Sequence, residues 1–101
     1  MKYEMVSEGT KARLHIHEEL RSSDRVEFDT MMGRLLSAAP RDVDVDLEGL
    51  DYMDSVGLGL LITLWDQLAT KKASLQISHA QGDVKTMLDM ARLDQLFTVR
   101  H

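Results

Sequence analysis

At 101 residues the chain is long enough for one hydrophobic core and too short for two, so a single domain over residues 1–101 is expected. Hydrophobic residues make up 44% and charged residues 29%, the balance of an ordinary globular protein rather than a disordered or fibrous one. A net charge of −5, with scattered Lys and Arg, speaks against a nucleic-acid surface, and the lack of cysteine rules out disulfides and thiolate metal sites.

Residues 3–8 (YEMVSE) are short and mixed, in keeping with an edge strand, and Gly9-Thr10 reads as a turn. Residues 12–19 (ARLHIHEE) alternate: Ala12, Leu14 and Ile16 point one way, Arg13, His15, His17 and Glu19 the other, which predicts a strand with one wet face. From Asp24 the period becomes helical through Phe28, Met31, Met32, Leu35 and Ala39. Asp24 with Glu27 forms an Asp-x-x-Glu capping pattern, and Pro40 ends the helix.

Residues 43–47 (VDVDL) predict a further strand, and Glu48-Gly49 leads to an acidic, turn-like stretch that ends at Asp54-Ser55. A strongly apolar helix follows, with Leu58, Leu61, Ile62, Trp65, Leu68 and Ala69 on its main stripe and Leu60 and Leu64 off it. Residues 74–78 (SLQIS) predict a strand. A third helix then carries Val84, Met87, Leu88 and Ala91, and residues 96–99 (LFTV) return to the sheet or pack against it. Strands alternating with helices indicate an α/β domain with parallel pairing across each helical crossover. The longest apolar run, residues 57–65 broken by Thr63, falls far short of the ~20 residues of a bilayer span, and residues 1–20 contain no apolar signal core. A cytoplasmic protein that inserts in no membrane is the expectation.

Gly57-x-Gly59 lacks the third glycine of a dinucleotide fingerprint, since position 62 is Ile, and no phosphate-loop string occurs; no cofactor is expected. Gly59 reads as a point of close backbone approach between the helix and a neighbour. His15, His17 and Glu19 supply metal-ligand chemistry on one strand face. Same-face neighbours lie ~7 Å apart and converge poorly, so a solvated strand face is favoured over a metal site or a metal-dependent enzyme. Ser55 lacks the Gly-x-Ser-x-Gly elbow of a hydrolase, because Met53 holds the first glycine position, and no catalytic residue is assigned. A plain helix cap by Asp54 or Ser55 is the simplest reading. The apolar character on more than one side of the first turns adds a second packing layer or a partner contact.

The run Asp54-Ser55-Val56-Gly57-Leu58-Gly59 after an acidic strand end resembles the Asp-Ser-(Ser/Ala)-Gly-Leu-Gly signature of STAS domains, the bacterial anti-sigma factor antagonists. Glu19-Leu20 takes the place of that family's Gly-Glu-Leu-Asp, with Glu18 for the usual Gly and Arg21 for the usual Asp. Residues 91–97 (ARLDQLF) resemble its closing Gly-Leu-x-x-x-Phe pattern. The resemblance implies an α/β fold with a mixed sheet of about four to five strands packed with about four helices. It implies a non-catalytic partner switch in which Ser55 is phosphorylated by a serine kinase/anti-sigma factor of the histidine-kinase-like ATPase type and released by a PP2C-type phosphatase.

The docking residues expected on that basis are Met53, Asp54, Ser55, Val56, Gly57, Leu58 and Leu60, with Glu19 and Asp24 nearby. A phosphate adds about −1.5 to −2 charges, which a helix N-terminus tolerates and an apolar interface flanked by Asp51 and Asp54 does not. The alternative implied by the same likeness is a cytoplasmic STAS subunit that tunes an ABC-type lipid transporter without phosphorylation.

Overall fold

A computed structural model describes residues 1–91 and the backbone of residues 98–100. Among the described residues, six strands and three α-helices follow in the order β1 (Lys2–Glu8), β2 (Lys11–Leu20), α1 (Arg25–Ser37), β3 (Asp42–Asp46), β4 (Leu50–Met53), α2 (Ser55–Thr70), β5 (Ser74–Ser78), α3 (Gly82–Met90) and β6 (Thr98–Arg100). A single 3-10 turn, Ser22–Asp24, leads into α1. The α/β architecture expected from the sequence is therefore present. The strand it did not foresee is β4, which lies where a turn was expected. The closing pattern of residues 91–97 falls outside the described residues after Ala91.

The sheet runs β1-β2-β3-β5-β6, with β1 antiparallel to β2 and the remaining neighbours parallel. From β2 to β6 the strands advance across the sheet in one direction, and the handedness rule for parallel crossovers then sends every crossover helix to the same face. The alternation foreseen for β2 is what this requires. Ala12, Leu14 and Ile16 are buried against the helices, as are Val43 and Val45 of β3 and Leu75 and Ile77 of β5.

Phe28, Met31 and Leu35 come down from α1 onto that layer at helical spacing, and Leu61, Leu64 and Leu68 from α2. The opposite face is polar. Arg13 pairs with Asp44 at 3.5 Å, Ser78 donates to Asp44 at 2.9 Å, and Ser74 donates to Asp42 at 2.7 Å. No described helix covers it.

β2 forks near its end. Up to His17 it is bonded to β1 and up to His15 to β3; beyond a bulge at Glu18 and Glu19 it pairs instead with β4, bringing Glu19 opposite Tyr52 and Leu20 opposite Met53. Glu18 sits at the fork with φ +66°, and its amide donates to the Gly49 carbonyl at 2.8 Å. A left-handed backbone is the natural place for glycine, and a bulge residue frequently adopts it.

The cap foreseen at the start of α1 takes a different form. Asp24 makes no side-chain cap for α1. Its carboxylate instead accepts from the Arg21 amide at 2.8 Å, closing the 3-10 turn, and from the Met1 amino group at 2.8 Å. The 3-10 turn places an acceptor for the orphan Arg21 amide one turn earlier than the Asp-x-x-Glu spacing suggested.

Candidate functional site

Ser55 is the first residue of α2, and the side chain before it organises the neighbourhood. Asp54 is extended (φ −94°, ψ −180°), and its Oδ1 accepts from the Gly57 amide at 2.8 Å, an N-cap bond that satisfies one orphan donor of the helix. Its Oδ2 accepts from the Ser22 amide at 3.1 Å, so one carboxylate fastens both the start of α2 and the 3-10 turn. The Gly57 amide, assisted by the amides of Ser22 and Val56 and the charge of Arg21 against a smaller desolvation effect, holds the Asp54 carboxyl below its usual range.

The Asp54 amide donates to the Leu20 carbonyl at 3.3 Å, which ties α2 to the end of β2. Both carboxylate oxygens being engaged, Asp54 is a structural clamp. Ser55 beside it is exposed, and its hydroxyl has no hydrogen-bond partner among the described residues.

Gly57 is the glycine of close approach. A Cβ there would overlap the Leu20 carbonyl oxygen and lie 2.9 Å from the Met53 Cγ, whereas a Cβ on Gly59 meets nothing within 4 Å. The sequence reading placed the close approach at Gly59. The structure moves it two residues earlier, to the point where α2 crosses the fork of β2.

The expected docking residues separate into two groups. Met53, Gly57 and Leu60 are buried, Met53 and Leu60 in the core itself. The reason is the helix face: α2 buries Gly57, Leu60, Leu61, Leu64 and Leu68, while Leu58, Ile62 and Trp65 are only half-buried and Ala69 is exposed. Ser55 and Glu19 are exposed, and Val56 and Leu58 half-buried, on the surface around the start of α2. Asp24 is occupied by Arg21 and Met1.

Tyr52, not singled out in the sequence, and Arg21, noted there only as a departure from the family motif, join this surface. Tyr52 is 42% exposed, and the Arg21 guanidinium lies 4.3 Å from its ring centroid while bonding Glu19 at 2.6 Å. Arg and Tyr are residue types that dominate binding energy at protein interfaces. Tyr52 was hidden because β4 was read as a turn, and a four-residue strand leaves no periodicity to read. Around Ser55 the surface thus combines a cation–π pair, an acidic side chain and a half-exposed apolar helix face.

The metal candidates of β2 do not converge as a set. His17 bonds Glu4 at 2.9 Å and stacks on His15 with ring centroids 6.0 Å apart, while Glu19 bonds Arg21 beyond the bulge. No described helix is long and apolar enough to cross a membrane.

The family model described as "Mlab, STAS domain" matches residues 4–99. A STAS-domain containing protein of Pseudomonas aeruginosa, PA14_20770, is 30% identical over 64 residues, which is 63% of this chain; the match spans 63% of that relative's length. Among solved structures, an anti-sigma factor antagonist from Mycobacterium paratuberculosis superposes with a TM-score of 0.85 at 16% identity, covering 98% of this chain and 84% of its own. The anti-sigma factor antagonist SpoIIAA in its unphosphorylated form gives 0.72 at 14% identity, over 99% and 87% of the two chains. At these identities the structural likeness carries the fold.

Proposed function

The chain belongs to the STAS-domain family, and on that premise we propose that it is a non-catalytic partner switch of the anti-sigma factor antagonist type, with Ser55 as its phosphorylation site. Unphosphorylated, it docks on a serine kinase or anti-sigma regulator of the histidine-kinase-like ATPase type. Phosphorylated, it releases that partner, and a PP2C-type phosphatase resets it. The observation that carries this reading is the exposure of Ser55 as the first residue of α2, its hydroxyl without a hydrogen-bond partner among the described residues, with exposed Tyr52 and half-buried Leu58 three residues before and after it in the chain.

Physical chemistry supplies the switch. A phosphate on Ser55 sits beside helix amides that favour anions, but Asp54 already occupies the Gly57 amide, so the new charge meets an ionised carboxylate competing for the same donors. The fold tolerates this because the site is wet. A partner seated over Leu58 and Tyr52 would have to bury the dianion without a matched cation, at a cost of several kcal/mol, on the order of a hundredfold or more in affinity.

The test is incubation with candidate kinases and ATP, mapping of the phosphate by mass spectrometry, and pull-downs with Ser55→Ala and Ser55→Glu. Phosphate on Ser55, with partner capture by the alanine variant and not by the glutamate variant, is the expected result. Equal capture by both variants overturns the switch. Stable co-purification with a transport ATPase, insensitive to Ser55 substitution, identifies the chain as a transporter subunit instead.

A further inference from the structure

On the polar face of the sheet, away from the helix layer, the ends of β3 and β5 bring together side chains that the partner switch does not use. Asp46 ends β3, Glu48 follows in the next turn, and His79 follows β5 directly. Asp46 is 6% exposed, yet it lies on the polar face in register with His15 of β2 and Ser78 of β5. His79 Nδ1 lies 3.2 Å from Asp46 Oδ1, and His15 Nδ1 lies 3.4 Å from Asp46 Oδ2. One ligand atom from each of Asp46, Glu48 and His79 falls within 4.8 Å of the others.

We propose that Asp46, Glu48 and His79, with His15 as the adjoining fourth donor, form a binding site for a divalent transition-metal ion of the zinc class. The donor chemistry selects the ion. Two imidazoles and two carboxylates suit Zn²⁺ and its neighbours, whereas Ca²⁺ and Mg²⁺ prefer all-oxygen shells.

The geometry lies within reach of coordination. Ligands ~2.0–2.1 Å from a tetrahedral ion stand about 3.3 Å from one another. Closing the gap needs side-chain rotation of Glu48 and His79, both exposed, around a fixed Asp46.

The backbone that carries the donors is already stitched. The Glu48 amide donates to Asp46 Oδ1 at 2.9 Å, and Gln81 Nε2 donates to the Glu48 carbonyl at 2.6 Å, tying the turn after β3 to the turn after β5. His79 is held at φ +60°, a conformation that non-glycine residues adopt rarely and that aims its ring back over Asp46. The His17 ring lies nearly parallel to that of His15, at an interplanar angle of 6° with centroids 6.0 Å apart. An ion would replace the two His–Asp contacts by bonds to the same atoms.

The site requires nothing of Ser55, so its test is separate from that of the switch. The full chain is titrated with ZnCl₂ alone by calorimetry in a non-chelating buffer, with CaCl₂ and MgCl₂ in parallel. Saturable one-to-one binding of Zn²⁺ in the micromolar range, and none of Ca²⁺ or Mg²⁺, is expected. Glu48→Gln and His79→Asn should each weaken it at least tenfold, and Ser55→Ala should leave it unchanged.

Asparagine is chosen at 79 because it accepts a left-handed backbone, and Glu48→Gln is isosteric and exposed, so both variants retain the fold. As a second readout on the unaltered protein, imidazole resonances of His15 and His79 should shift on Zn²⁺ addition. Absence of saturable binding, or Zn²⁺ binding of equal strength in both variants, overturns the site.

Discussion

The Cα of Gly57 lies against the carbonyl of Leu20 with no space for a methyl group between them. The Leu20 carbonyl also accepts the Asp54 amide, so neither the strand end nor the helix start can retreat cheaply. Gly57→Ala should therefore destabilise the domain by about 3 kcal/mol, at the upper range for overpacking a tight contact. Gly59→Ala, with open space around its Cβ, should stabilise it by ~0.5–1 kcal/mol through helix propensity. Urea denaturation of the two variants, read by circular dichroism, checks the opposite signs.

Glu18→Gly should stabilise the fold by about 0.5–1 kcal/mol. The residue holds φ +66° at the fork of β2, where a side chain is strained and glycine is not. Its ion pair with Lys2, at 3.3 Å between exposed side chains, offsets little of this. A rise of several degrees in melting temperature is the expected readout.

Leu60 and Leu58, two positions apart on α2, should respond in opposite ways to truncation. Leu60 is 4% exposed in the core, and Leu60→Ala should cost about 2–4 kcal/mol of stability. Leu58 is half-buried, and Leu58→Ala should cost less than ~1.5 kcal/mol while reducing capture of the docking partner. Denaturation and pull-down on the same two variants separate the core role from the surface role.

Acid should weaken the clamp at the start of α2. The Asp54 carboxyl is held below its usual value by the Gly57 amide. Asp24, despite an opposing desolvation effect, is lowered by the Met1 amino group and the Arg21 amide. Both groups thus release protons more readily when folded than when unfolded. The stability they contribute is complete above the unfolded-state pKa of ~3.9 and is lost as the pH falls through the lower folded values. Asp54→Asn should lower stability at pH 7 and flatten the acid limb of a stability–pH profile measured by urea denaturation from pH 7 to pH 2.

Ser55→Glu should fold as well as the parent, with a change in stability within about 0.5 kcal/mol. The side chain is exposed, and a negative charge in the first turn is favoured by the helix dipole, although Asp54 beside it opposes the gain. A melting temperature close to the parent's, together with lost partner capture, would locate the switch at the interface rather than in the fold.

Much of this architecture was legible in the sequence because residues 12–19 alternate and residues 28–39 follow helical spacing; both patterns report a chain with one wet side. Hydropathy is uninformative where a helix turn is apolar on every side or a segment is too short to show a period. In α2 residues 56–62 are apolar on every side, so the sequence put Leu58, Ile62 and Trp65 on the packed stripe and Leu60 and Leu64 off it, whereas the structure buries Leu60 and Leu64 and leaves the other three half-buried. The four residues of β4 carry Asp51 and Tyr52 outward between buried Leu50 and Met53, which in isolation looks like a turn.

Ser55 was found through its family motif, and its exposure follows from Asp54 doing the capping. Tyr52 and Arg21 meet only because β2 forks, a tertiary event with no local signature. The turn after β5 likewise gave no sign that His79 would face Asp46, 33 residues earlier in the chain.

All described crossover helices lie on one side, so the described residues form two layers, and the polar strand face is free of the packing constraints that bind the other. Exchanges at Arg13, Asp44 or Gln76 pass through neither the core nor the Ser55 edge. Substitution on that face can change the chemistry the sheet presents to solvent without disturbing the packed layer beneath α1 and α2.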